Sequence, residues 1–114
     1  MTKRAKGKRK NVARLQSFYP LSEVRDLIDQ EKVDIRSNAL EDAQRDFGWG
    51  TSDILHALKR LQPSHFHKSD ESDKKYRTVM DFYKAHGLKG EDVYTHFYID
   101  DDRKVLVVSS FKKI

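Results

Sequence analysis

The sequence predicts an α+β domain in which three N-terminal helices pack on one antiparallel β-sheet. Three observations carry this. Apolar residues recur at helical spacing between Leu21 and Leu61, side chains alternate with a period of two from Val93 to Ile99, and Val105, Leu106, Val107 and Val108 form an unbroken apolar run. Helices first and strands afterwards give a helical layer covering a sheet.

The first helix starts after Pro20 and places Leu21, Val24, Leu27 and Ile28 on one face. Val33, Asp34 and Ile35 read as a short extended link. Ser37 is a plausible N-cap for a second helix, whose Ala39, Leu40, Ala43 and Phe47 share a face and which Gly48 stops. Thr51, Ser52 and Asp53 open the third helix, which carries Ile54, Leu55, Leu58 and Leu61 and ends before Pro63.

Strands then follow. Residues 66–70 and roughly 76–84 form a pair around a polar loop at 71–75, although Tyr76, Val79, Met80 and Tyr83 also fit a helix. Residues 93–99 and 104–112 form a hairpin around Asp100, Asp101, Asp102 and Arg103. The run at 105–108 reads as buried on both faces. The helices should cover Val93, Phe97 and Ile99, leaving Tyr94, His96 and Tyr98 on the opposite face.

Composition bounds the function. The chain has 114 residues and no cysteine, which excludes a disulfide framework and thiolate metal sites. No apolar run is long enough for a membrane span, and the basic N-terminus lacks the apolar segment of a secretory signal, so the cytoplasm is the expected compartment. The net charge of +5 is uneven: residues 1–14 hold seven bases and no acid, and the remainder has sixteen bases against eighteen acids. Residues 1–18 therefore read as a basic tail, disordered when free, that either contacts phosphates or only solubilises; residues 19–114 read as one domain.

The second half carries the chemistry. Lys68, Tyr94, His96 and Lys112 fall on neighbouring predicted strands, with no acid or cysteine in the three short segments around them. Cleaving RNA through its own 2′-hydroxyl needs that inventory. Lysines stabilise charge on the phosphorus oxygens, tyrosine or histidine moves protons, and aromatic rings stack bases. Each residue also has a plainer reading, as a solvated lysine or a half-buried sheet tyrosine. His65 and His67 lie two apart without a third ligand, so neither a metal nor a cofactor is expected. No GxxxxGK, HExxH or GxSxG motif is present.

At these residues the chain resembles the MqsR family of toxins from type II toxin–antitoxin pairs. The likeness runs from about Leu21 to Lys112. Phe66-His67-Lys68-Ser69 is similar to the family's Phe-Tyr-Lys-Ser, Val79-Met80-Asp81-Phe82-Tyr83 to its Trp-Gln-Asp-Val-Tyr, and Val93-Tyr94 to its Val-Tyr. The closing Val105-Leu106-Val107-Val108-Ser109-Ser110-Phe111-Lys112 is similar to its Val-Leu-Ile-Val-Ser-Phe-Lys, with one extra serine.

The resemblance implies a RelE-like fold, a strand at residues 76–84, and a ribosome-independent mRNA endoribonuclease held by a cognate DNA-binding antitoxin. It places the active-site lysines on Lys68 and Lys112 and the tyrosine on Tyr94. His96 stands where the family tends to have a lysine, Met80 where it has a functional glutamine, and Asp70 where it has a methionine. We assign catalysis to Lys68, Tyr94, His96 and Lys112, and RNA contact to Tyr83, Tyr98, Met80 and His67. The competing readings are a relative of the same fold that binds RNA without cleaving it, and a module that only holds a protein partner.

Overall fold

The computed structural model describes residues 16–71 and 78–114. Three helices cover one face of a five-stranded sheet: α1 (Leu21–Asp29), α2 (Ser37–Phe47) and α3 (Thr51–Lys59). α1 starts where Pro20 fixes an extended backbone, and the Pro20 carbonyl accepts the amides of Glu23 and Val24 at 3.0 and 3.2 Å. Its Val24, Leu27 and Ile28 are buried, and the helix packs on α3. Ser37 proves to be the first residue of α2 rather than its cap, since Arg36 takes the cap position. Gly48 ends α2 in the left-handed conformation (φ 71°) that glycine adopts without steric cost. At the start of α3, Asp53 accepts the Gly50 amide at 3.2 Å, so a carboxylate meets the positive end of the helix dipole.

The sheet contains β1 (Val33–Ile35), β2 (Phe66–Glu71), β3 (Val79–Leu88), β4 (Glu91–Asp100) and β5 (Val105–Lys113), in the order β1-β5-β4-β3-β2. Two expectations need correction. The link at 33–35 is a strand that pairs parallel to β5, so the sheet is mixed rather than antiparallel. The helices are also not one uninterrupted N-terminal block, because β1 lies between α1 and α2. The physical reason is that the link's backbone groups find partners on β5: the Leu106 amide donates to Lys32 and the Arg36 amide to Val108, both at 3.0 Å.

The ambiguous stretch at 76–84 is a strand from Val79, which runs on to Leu88; its first two residues and most of the polar loop fall at 72–77, outside the described residues. The expected β4–β5 turn is closed by Arg103 Nε, which donates to Asp100 at 2.9 Å, and by the Lys104 amide, which donates to the Asp100 carbonyl at 2.7 Å.

Val93, Phe97 and Ile99 lie in the core under the helices, as alternation predicts, and Leu106, Val107 and Val108 are all buried. α2 lies against β5 and closes this inner layer. The folded part extends before Tyr19. Asp81, buried on β3, accepts the amides of Phe18 and Tyr19 at 3.0 and 2.8 Å, and the Tyr19 hydroxyl donates to the Val79 carbonyl at 2.7 Å. Residues 1–15, most of the expected basic tail, lie outside the described residues. Among the described residues no helix is long and apolar enough to cross a membrane.

Candidate functional site

The face of the sheet away from the helices presents most of the residues assigned to a site. On β4, Val93, Thr95, Phe97 and Ile99 turn inward, so Tyr94, His96 and Tyr98 turn outward. Cross-strand pairing then identifies the rest of this outer face. Tyr94 stands opposite Lys112 on β5 and Lys84 on β3, His96 opposite Ser110 and Phe82, and Phe82 opposite Lys68 on β2.

Two β-bulges put the flanking lysines there. Val108 pairs with the inward Phe97, so simple alternation would also turn Lys112, four residues later, into the core. The register shifts between Val108 and Ser110, Ser109 is the extra residue, and Lys112 emerges outward. On β2 the inward Phe66 pairs with Tyr83, and the extra residue His67 lets Lys68 pair with the outward Phe82. The extra serine noticed in the sequence is therefore the residue that re-aims the C-terminal lysine.

The side chains assigned to catalysis come together. Tyr94 Oη and His96 Nδ1 are 3.2 Å apart. The Lys112 ammonium lies 5.5 Å from the Tyr94 ring centroid, and the Lys68 ammonium 5.0 Å from the Phe82 centroid. Phe82 in turn packs on His96 with centroids 4.6 Å apart and on Tyr94 at 6.3 Å. The result is an aromatic floor of Phe82, Tyr94 and His96 with a cation on either side.

Electrostatics set the protonation states. Burial, and then the Lys112 charge, lower the His96 pKa below the usual histidine range, so its imidazole is neutral at pH 7. Burial raises the Tyr94 pKa, with Lys68 opposing and Asp70 assisting, so the phenol keeps its proton. With both groups neutral, Tyr94 Oη–H donates to His96 Nδ1 in the tautomer that carries the imidazole proton on Nε2. Lys68 bonds Asp70 at 2.8 Å, which raises its pKa despite opposing desolvation. No such ion pair involves Lys112 among the described residues.

The residues assigned to RNA contact divide. Met80 is on the outer face, half-buried, opposite Asp70. Tyr98 shares that face but lines a hollow of about 430 Å³ with Phe18, Val79 and Asp100–Asp102, at the acidic end of the sheet. His67 is exposed at the β2 bulge; burial, then Lys84 and Lys68, lower its pKa. Tyr83 is the correction. It is wholly buried, stacked on Phe97 with centroids 5.4 Å apart, and burial pushes its hydroxyl up to about 12. It shares the inward parity of Asp81 and Ala85 and is out of reach of a ligand on the outer face.

The aromatic residue that serves the outer face is its neighbour Phe82, which sequence reasoning passed over. Charge alone does not reveal it: Lys84 faces out at the parity of Phe82 and Met80, whereas Asp81, equally charged, is buried at the other parity.

A family model described as "Motility quorum-sensing regulator, toxin of MqsA" matches residues 16–113. No curated protein matches the chain.

Proposed function

The chain belongs to this toxin family, and on that premise we propose that it is an endoribonuclease, the toxin of a toxin–antitoxin pair, that cleaves single-stranded mRNA by 2′-hydroxyl attack without a metal. The observation that carries the reading is the neutral Tyr94–His96 pair set between Lys68 and Lys112 on the sheet face that, among the described residues, no helix covers. We read the fold as RelE-like, the site of action as the cytoplasm, and the partner as a cognate DNA-binding antitoxin.

In this mechanism an unpaired base stacks on Phe82 while Lys68 and Lys112 hold the scissile phosphate. The 2′-hydroxyl proton passes to Tyr94 Oη as Tyr94 gives its own proton to His96 Nδ1. The 2′-oxygen bonds phosphorus, and the two ammonium groups stabilise the negative charge of the pentacoordinate transition state. The P–O5′ bond breaks, and the imidazolium returns its proton, through Tyr94 or water, to the departing 5′-oxygen. The products are a 2′,3′-cyclic phosphate and a 5′-hydroxyl, and the enzyme is regenerated.

Incubation of the purified chain with a long single-stranded RNA in EDTA tests this. Discrete fragments are expected, and they should be lost in the doubly substituted Lys68→Ala/Lys112→Ala protein. Intact RNA with the wild-type chain would overturn the reading in favour of a relative that binds RNA without cleaving it.

A further inference from the structure

Beneath the outer face, β2 is held by an unusual contact. Ser69, 4% exposed, and Asp81, 0% exposed, pair directly across β2 and β3 on the inner side, and the Ser69 hydroxyl donates to the Asp81 carboxylate. The same carboxylate accepts the Phe18 and Tyr19 amides. A buried carboxylate is costly unless it is well bonded, so its position is tightly determined by these donors.

β2 needs such a determinant. Among the described residues it is an edge strand of the sheet, paired only with β3, and it contains the His67 bulge just before Lys68. A slip of one residue along β3 would turn Lys68 inward and Ser69 outward. Ser69 follows Lys68 directly, and its hydroxyl can reach Asp81 only when Lys68 faces out over Phe82.

We propose that Ser69 and Asp81 are positioning residues for Lys68: their bond locks the bulged register of β2 and so aims the lysine at the scissile phosphate. This rests on the ribonuclease reading above. Neither residue touches substrate; both act through Lys68.

The test is a cycle of variants assayed for RNA cleavage, with the folded fraction of each fixed from its thermal unfolding. Ser69→Ala leaves Asp81 its two backbone donors, so the fold should persist. Its kcat should fall about tenfold with KM within about twofold, as when a transition-state group is misplaced. Ser69→Thr, which keeps the hydroxyl, should return kcat to within about threefold of wild type.

In a Lys68→Ala background, Ser69→Ala should cause almost no further loss, whereas a merely structural role would cost as much there as in wild type. If Ser69→Ala loses its cooperative unfolding transition, the near-isosteric Ser69→Cys carries the same comparison. An impaired Lys68→Ala beside an unimpaired Ser69→Ala overturns the positioning role alone. An unimpaired Lys68→Ala overturns the active-site assignment and this proposal with it.

Discussion

Tyr94 and Lys112 face each other directly across β4 and β5, with the ammonium 5.5 Å from the ring centroid, although unbroken alternation along β5 would have buried the lysine. The Ser109 bulge makes that meeting possible, and the His67 bulge does the same for Lys68 over Phe82. Both strands that carry the lysines, β2 and β5, thus depart from regular geometry where a cation is presented.

The two lysines should carry most of the charge stabilisation. Replacing Lys112 by alanine should lower cleavage about 10²- to 10³-fold, and Lys68→Ala should do likewise, the loss typical of one transition-state donor. Both side chains are exposed, so the unfolding temperatures should change little. Steady-state cleavage of a short fluorescent RNA measures this; rates within about threefold of wild type for both variants would contradict the assignment.

His96 predicts a pH dependence with a definite sign. Burial and Lys112 lower its pKa, so in the free protein the imidazole stays neutral until the pH falls below the usual value of about 6.5. As the proton acceptor it fails once protonated. kcat/KM should therefore hold steady near neutrality and decline on an acid limb below about 6.5, and His96→Gln should lower the rate and abolish that limb. A profile identical in the two proteins would leave proton transfer to Tyr94 alone.

Asp70 should act as a brake. It holds the Lys68 ammonium at 2.8 Å, and a phosphate must displace it. Asp70→Asn should raise kcat/KM by about two- to fivefold, the scale of an exposed ion pair. A large fall instead would show that the carboxylate takes part in the chemistry.

Phe82 and Tyr83 should behave oppositely although they are adjacent. Phe82→Ala should weaken binding of single-stranded RNA by about 1–3 kcal/mol, the value of one stacked base, and leave the protein folded. Tyr83→Ala should cost about 3–5 kcal/mol of stability, as a large core truncation does. Fluorescence anisotropy and thermal unfolding on the same two variants separate the roles.

Much of this was legible in the sequence. The alternation of 93–99 and the charged turn after it located the hairpin, and the outward set Tyr94, His96 and Tyr98 followed from parity alone. Lys68 and Lys112 were picked out by their place on predicted strands and by the family resemblance, but the face each takes was not legible. Each sits beyond a bulge, and a bulge inverts the parity on which face assignment depends. Tyr83 was misassigned for a different reason: its charged neighbours on β3 conflict, with Lys84 exposed at one parity and Asp81 buried at the other. The parallel strand at 33–35 was hidden because its partner lies some seventy residues away, and three residues show no period. The Ser69–Asp81 contact had no signal, since a buried carboxylate looks like any other acid in a sequence.

The most direct test of the central claim is the fate of the 2′-oxygen. An RNA with a defined cleavage point should be incubated in EDTA beside a copy bearing 2′-deoxy at the nucleotide whose 3′-phosphate is cut, and the product ends identified by mass spectrometry. The account predicts a 2′,3′-cyclic phosphate and a 5′-hydroxyl from the first RNA and no cleavage at that position in the second. Cleavage of the deoxy-substituted strand, or fragments ending in a 3′-hydroxyl and a 5′-phosphate, would contradict it.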